Sequence, residues 1–208
     1  MKKFKIFAFS ILAIAFITIG LYSCSNEETH HSNQGDSEQM SNLQSKSVGD
    51  VLIANTDGTN VNPQIDLYEF ESKLISASIF EEIESIVIDS KLDPITNGHE
   101  SYLTIIGKKH GDFSLTAFQA ELVKDGSNLY FPNPETPGLP ITTFAEHTCA
   151  GKGCGSCAFV RKDNKKNGKI TGCTCGDDDG GSCDHTVKDT DTSDKVKDVA
   201  KTVLEILK

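Results

Sequence analysis

Six of the chain's seven cysteines, Cys149, Cys154, Cys157, Cys173, Cys175 and Cys183, fall within one stretch of 35 residues. Sulfurs this close either bridge one another, share a metal, or are held apart by the backbone. Their spacing is Cys-x4-Cys-x2-Cys-x15-Cys-x-Cys-x7-Cys, with His147 two residues before the first and His185 two after the last. An even, clustered count in an exported chain reads first as three disulfides with no free thiol. The segment from His147 to His185 holds one aromatic residue, Phe159. A module so poor in apolar bulk needs covalent staples, because burial alone does not support it.

Cys157-Ala-Phe-Val-Arg161 and Lys169-Ile-Thr-Gly-Cys173 flank Asp163-Asn-Lys-Lys-Asn-Gly168, which is a β-hairpin signal. If the whole stretch from Asp163 to Gly168 loops, Cys157 falls opposite Cys173 or its neighbour. If Asn167-Gly168 alone turns, Val160 faces Cys175 and Cys157 faces the acidic loop. The first register is preferred, and with it a bridge from Cys157 to Cys173 or Cys175 that closes the hairpin. Cys173 and Cys175 are not expected to pair together. Residues two apart on a strand point the same way at about 6.5 Å, the far end of what a bridge tolerates. Reduction is expected to loosen residues 147–185 and leave the preceding domain folded, since that domain contains no cysteine.

Other chemistries fit the same sulfurs less well. Cys154-x2-Cys157 and Cys173-x-Cys175 resemble two zinc knuckles, with His147 and His185 as further ligands for zinc or copper. The second knuckle is one residue shorter than usual. Cys149 to Cys157 looks like the cluster loop of plant-type ferredoxins, but such clusters are built in the cytosol and this chain crosses a membrane unfolded. Cys154-Gly-Ser-Cys157 as a redox pair lacks the helix N-terminus that favours a thiolate. Asp163 to Thr174 matches a calcium loop only in part, with Lys165 at a ligand position and Thr174 where Glu closes the site.

The N-terminus supplies the export argument. Lys2, Lys3 and Lys5 form a basic start to an apolar run from Phe4 to Leu21 that Lys5, Ser10, Thr18 and Gly20 alone interrupt, the charge order of a secretory signal. Leu21-Tyr22-Ser23-Cys24 resembles a lipobox, which implies removal of residues 1–23 and acylation of Cys24. The membrane is then a partner through the lipid anchor. Residues 24–48 are almost free of apolar side chains and read as a disordered tether. Ser25-Asn26-Glu27-Glu28 looks like the acidic signal that sends some lipoproteins to the cell surface; a merely soluble acidic tether is the alternative. The address is the cell envelope, at the outer membrane, facing either the periplasm or the outside. Losing the three signal lysines leaves 17 basic residues against 30 acidic ones, so the net charge goes from −10 to −13. Such a chain repels nucleic acid.

Residues 49–145 read as an α+β domain, a helix packed on an antiparallel meander. Val51-Leu52-Ile53 and Ile86-Val87-Ile88 are strand-like. Asp66 followed by Glu69 resembles a capping box, with Leu67, Phe70 and Leu74 at helical spacing. Tyr102 to Gly107 alternates. Phe113, Leu115 and Ala117 share a face, while Phe118, Ala120 and Leu122 continue out of phase, which predicts a β-bulge near Ala117. Asp125-Gly126 turns into a third meander strand, Leu129 to Phe131. Pro132, Pro134, Pro137 and Pro140 suggest a stiff linker to a disulfide-rich hairpin module at 146–187. A polar linker and a C-terminal amphipathic helix fill 188–208, with Ser193 as cap and Val196, Val199, Val203 and Leu207 on the docking stripe.

The lipobox, the acidic tether, the α+β domain and the tail together look like small cysteine-rich lipoproteins of Bacteroidota. The tail residues that carry the likeness are Cys149, Gly151, Cys154, Cys157, Phe159, Ile170, Gly172, Cys173, Cys175, Cys183 and His185. The resemblance implies an envelope address and a disulfide-bearing tail, and it supplies no activity. The expected function is a non-enzymatic module that binds an extracellular or periplasmic macromolecule or serves the envelope structurally, with no catalytic residues and no cofactor. The alternative is a metal-binding lipoprotein using His147, Cys154, Cys157, Cys173, Cys175 and His185. A hydrolase using His99 and Glu100, or His110 and Asp112, is the third class.

Overall fold

The computed structural model describes residues 47–92, 98–111, 114–162, 168–176 and 180–208. The signal, Cys24 and most of the tether lie outside the described residues, as do Asp112, Phe113, the loop 163–167 and the acidic run 177–179. The described residues all fall in one unit, Asn42–Lys208. In chain order the elements are β1 (Val51–Thr56), β2 (Val61–Pro63), α1 (Leu67–Ser76), β3 (Glu82–Leu92), β4 (His99–Lys108), β5 (Leu115–Glu121), β6 (Val123–Asp125), β7 (Asn128–Phe131), β8 (Phe144–Lys152), β9 (Cys157–Arg161), β10 (Ile170–Cys175), β11 (Ser182–Asp189) and α2 (Asp194–Leu207). The fold is α+β. A four-stranded sheet runs β2-β1-β7-β6, a five-stranded sheet runs β11-β8-β5-β4-β3, and β9 and β10 pair as a hairpin. All the strand pairings among the described residues are antiparallel.

Local chemistry sets the helix ends. Asp66 caps α1, its Oδ1 accepting from the N–H groups of Tyr68 at 2.9 Å and Glu69 at 3.1 Å. The C-terminus closes on Ser78 at φ 57°, with Ile79 N–H donating to the Leu74 carbonyl and Ser78 N–H to that of Ile75. This is the Schellman arrangement, and both Ile79 and Leu74 belong to the apolar cluster. Ser193 sits at the N-cap position of α2, but its side chain makes no capping bond. Val196, Ala200, Val203 and Leu204 of α2 are buried, so the helix docks on the protein. Val199 and Leu207 flank this stripe as partly buried residues.

One face of the five-stranded sheet carries Leu103, Ile105, Phe118, Ala120 and Phe144 into an apolar cluster with Ile53, Phe70, Leu74, Leu129 and Phe131 and the buried side of α2. Phe144 is the hub, with ring centroids 6.3 Å from Phe118 and 5.5 Å from Phe131.

Three expectations need correction. The phase change along β5 is not a bulge: its register is continuous against β4 from Leu115 to Glu121 and against β8 from Leu115 to Ala120. Thr116 to Ala120 are all buried because β5 is an inner strand with apolar residues on both faces. Bulges occur instead at Leu52/Ala54, Ile83/Ser85 and Ile170/Gly172. Secondly, the strand Asn128–Phe131 does not extend the β3-β4-β5 meander. It turns back on β6 through Gly126 at φ 60° and joins β1 in the smaller sheet. Thirdly, the expected boundary at residues 145–146 falls inside β8, which pairs with β5 on one side and β11 on the other. The proline-rich segment is therefore a packed crossover between the sheets. Pro132 and Pro134 are buried and Asn133 N–H donates to Asp50 Oδ1 at 2.8 Å.

Candidate functional site

Alternation along β8 puts Phe144, Glu146 and Thr148 on one face and Ala145, His147 and Cys149 on the other. The second face receives the β9–β10 hairpin. Its register sets Arg161 opposite Ile170, Phe159 opposite Cys173 and Cys157 opposite Cys175. The wide-loop reading is thus right in kind, with the Ile170/Gly172 bulge moving Cys157 one residue further along.

All six cysteines are bridged, as Cys149–Cys173, Cys154–Cys175 and Cys157–Cys183. Cys173 and Cys175 are not joined to each other, as expected. The predicted bridge from Cys157 to Cys173 or Cys175 is incorrect. Cys157 and Cys175 oppose each other in register, yet each bonds elsewhere, Cys157 to β11 and Cys175 to the β8–β9 loop. Each bridge therefore fastens the hairpin to the β8–β11 side instead of closing the hairpin on itself. Tight glycine contacts let the loops approach. A Cβ on Gly181 would stand 2.3 Å from the Gly153 carbonyl oxygen, and one on Gly151 would stand 2.5 Å from that of Cys154.

Between hairpin and sheet lies a buried polar layer that the sequence reading missed. Gln119 Oε1 accepts from Ile170 N–H at 3.1 Å, and its Nε2 donates to Thr104 Oγ1 at 2.9 Å and to the Gly168 carbonyl at 3.1 Å. Arg161 donates to that same carbonyl at 2.9 Å, while Asp89 Oδ2 accepts from Gly168 N–H at 3.0 Å. Burial raises the Asp89 carboxyl above its ordinary value, against the opposing pull of the Gly168 N–H and the charges of Lys91 and Arg161. The signal available in the sequence was a polar residue at an inner position of an apolar run: Asp89 after Ile86-Val87-Ile88, and Gln119 between Phe118 and Ala120. Such residues need partners when buried.

His147 and His185, far apart in sequence, meet here. Nδ1 of His147 lies 3.1 Å from Nε2 of His185. The ring planes differ by 3° and the centroids are 5.3 Å apart. The centroid distance exceeds the nitrogen contact by roughly two ring radii, so the rings meet edge to edge in one plane. The two lone-pair directions then point at each other, and one proton bridges them as N–H···N. Burial, then the charges of His185, Lys169 and Arg161, hold His147 down to about 4. Burial also lowers His185.

Beside His147 opens a cleft of about 100 Å³ lined by Tyr102, Gln119, Glu121, Thr142, Thr143, Ala145, Lys169, Val187 and Asp189. Burial raises the Glu121 carboxyl, tempered by Lys169. Ligand pockets run to about 300–1,000 Å³, so this one admits a single side chain or a few waters. A second cleft, of about 280 Å³, opens on Cys149, Cys154 and Cys157 with Glu84 and Lys108 at its rim.

Other candidates do not converge. Glu100 pairs with Lys162 at 3.0 Å and His110 with Glu81 at 3.7 Å. His99 and Glu100 are consecutive on β4 and point to opposite faces. No family model, curated protein or solved structure matches the chain.

Proposed function

We propose that this protein is a lipoprotein of the cell envelope: acylated at Cys24 after removal of residues 1–23, held at the outer membrane on an acidic tether, and serving as a disulfide-locked module that binds an extracellular or periplasmic macromolecule. The observation that carries the reading is the pairing of all six clustered cysteines across two layers of the fold. Such bridges persist in exported proteins and are rare where glutathione keeps thiols reduced. The lipobox-like Leu21-Tyr22-Ser23-Cys24 adds the anchor.

Binding is favoured over catalysis because the candidate acid–base residues pair locally and do not converge on one cleft: His147 with His185, Glu100 with Lys162, His110 with Glu81. The metal-binding alternative requires reduced sulfurs. In the bridged form Cys154, Cys157, Cys173 and Cys175 present no thiolate, and His147 and His185 spend a lone-pair direction each on one another.

The test is metabolic labelling with a tagged fatty acid in a Gram-negative host. Wild type is expected to take the label and lose residues 1–23, and Cys24→Ala to lose the label and escape lipoprotein-type cleavage. Equal labelling of Cys24→Ala would refute the anchor. Six alkylatable thiols in envelope protein denatured without reductant would refute the locked module.

A further inference from the structure

The three bridges are not equivalent. Cys149 is 1% exposed and bonds to the half-buried Cys173 of β10, whereas both members of the other two bridges, Cys154 with Cys175 and Cys157 with Cys183, are half-buried. The Sγ atoms of Cys154, Cys175 and Cys183 all lie within 4.8 Å of one another. Cys157 Sγ is bonded to Cys183 Sγ, so the two outer bridges bring four sulfurs to one place. A tetrahedral zinc site with Zn–S bonds of about 2.3 Å needs sulfurs about 3.8 Å apart. Cys183 Sγ, within 4.8 Å of the Cys154 and Cys175 sulfurs, is no more than about 1 Å beyond that spacing, and the bonded pair Cys154–Cys175 opens to it once reduced. The cleft lined by Cys154, Cys157 and Ser156, which Cys149 also borders, gives access from solvent.

We propose that Cys154, Cys157, Cys175 and Cys183 form a redox-gated site: two disulfides when oxidised, a four-thiolate site for a soft d10 cation, zinc or copper(I), when reduced. The reductant is a dithiol or a phosphine. Two equivalents deliver four electrons, and with four protons the Cys154–Cys175 and Cys157–Cys183 bonds become four thiols. A dithiol reductant leaves as disulfide, a phosphine as phosphine oxide with oxygen taken from water. Cation binding then displaces the thiol protons. The Gln119–Arg161–Gly168 layer keeps the hairpin seated meanwhile, with or without the Cys149–Cys173 bridge. This ligand set differs from the one suggested by sequence spacing: Cys183 replaces Cys173, and neither His147 nor His185 takes part.

The experiment uses the full chain purified from the envelope, treated anaerobically with a phosphine and titrated with Co2+ as a stand-in for zinc. Expected are one cobalt per chain with thiolate-to-cobalt charge-transfer absorption, displacement by zinc, and four thiols protected from alkylation. Cys183→Ser should lose the band, Cys183→His should regain it, and Cys149→Ser/Cys173→Ser should keep it. A reduced wild type without a stoichiometric band overturns the proposal. So does a band that survives in Cys183→Ser or disappears with Cys173. Acyl labelling at Cys24 is read independently, so failure here leaves the envelope reading standing or falling on its own test.

Discussion

Acidification should destabilise this protein through His147, and by a predictable amount. The side chain is 3% exposed and sits at about 4, against 6.5 for a free imidazole. The unfolded chain therefore binds a proton between those values that the folded chain refuses. Stability from this group is constant above pH 6.5, falls as pH drops toward 4, and is flat below. At about 1.36 kcal/mol per unit the whole effect is about 3 kcal/mol, most of it lost by pH 4.5. Asp89 and Glu121 act in the opposite sense: their raised folded values mean that the folded state takes protons first, which adds stability as pH falls. The wild-type profile is thus a composite, and subtraction isolates His147. His147→Asn keeps a polar atom near the Nδ1 position, facing His185, but does not titrate. With no Trp in the chain, urea unfolding of the oxidised protein is followed by far-UV circular dichroism at pH 7.5 and 4.5. The variant should be less stable than wild type at pH 7.5, from lost packing, yet lose about 2 kcal/mol less than wild type on acidification. Parallel losses in the two proteins would refute the buried, neutral His147.

Removing the Cys149–Cys173 bridge with Cys149→Ser/Cys173→Ser opens a loop whose ends are 24 residues apart and should cost about 3 kcal/mol by chain entropy, read as a lower urea midpoint. Ser78→Gly relieves the left-handed residue at φ 57° that ends α1 and should add about 0.5–1 kcal/mol; an unchanged or lower melting temperature would contradict the strain. Gly107→Ala would set a Cβ 2.2 Å from the Glu82 carbonyl oxygen at the β3 bulge and should cost about 1–3 kcal/mol, seen as faster hydrogen exchange in β3 and β4.

What the sequence disclosed about this fold was what neighbouring residues decide. Asp66 caps because the next amide groups are within reach of its side chain. Gly126 turns because it accepts positive φ. The α2 stripe repeats along one helix. The bridge partners were not legible, since a sulfur's partner depends on which layer its strand face meets. Cys157 faces Cys175 in register and still bonds to Cys183, because both hairpin faces are defined by the sheet beneath them. Composition also drew a false boundary at 145–146. The change from apolar to cysteine-rich sequence occurs within β8, whose two faces serve different layers. That has a consequence for reduction. β8 lies between β5 and β11, and Phe144 at its start anchors the apolar cluster, so it cannot loosen without taking the larger sheet apart. The expectation that residues 147–185 come free as a block therefore gives way to a narrower one. Under reductant, amide exchange should rise in β9, β10 and the loops that carry Cys154 and Gly181, while β8 amides from Ala145 to Cys149 keep their protection. Exchange rising equally in β8 and β9 would restore the independent module, with the continuous strand pairing then contributing little to cohesion.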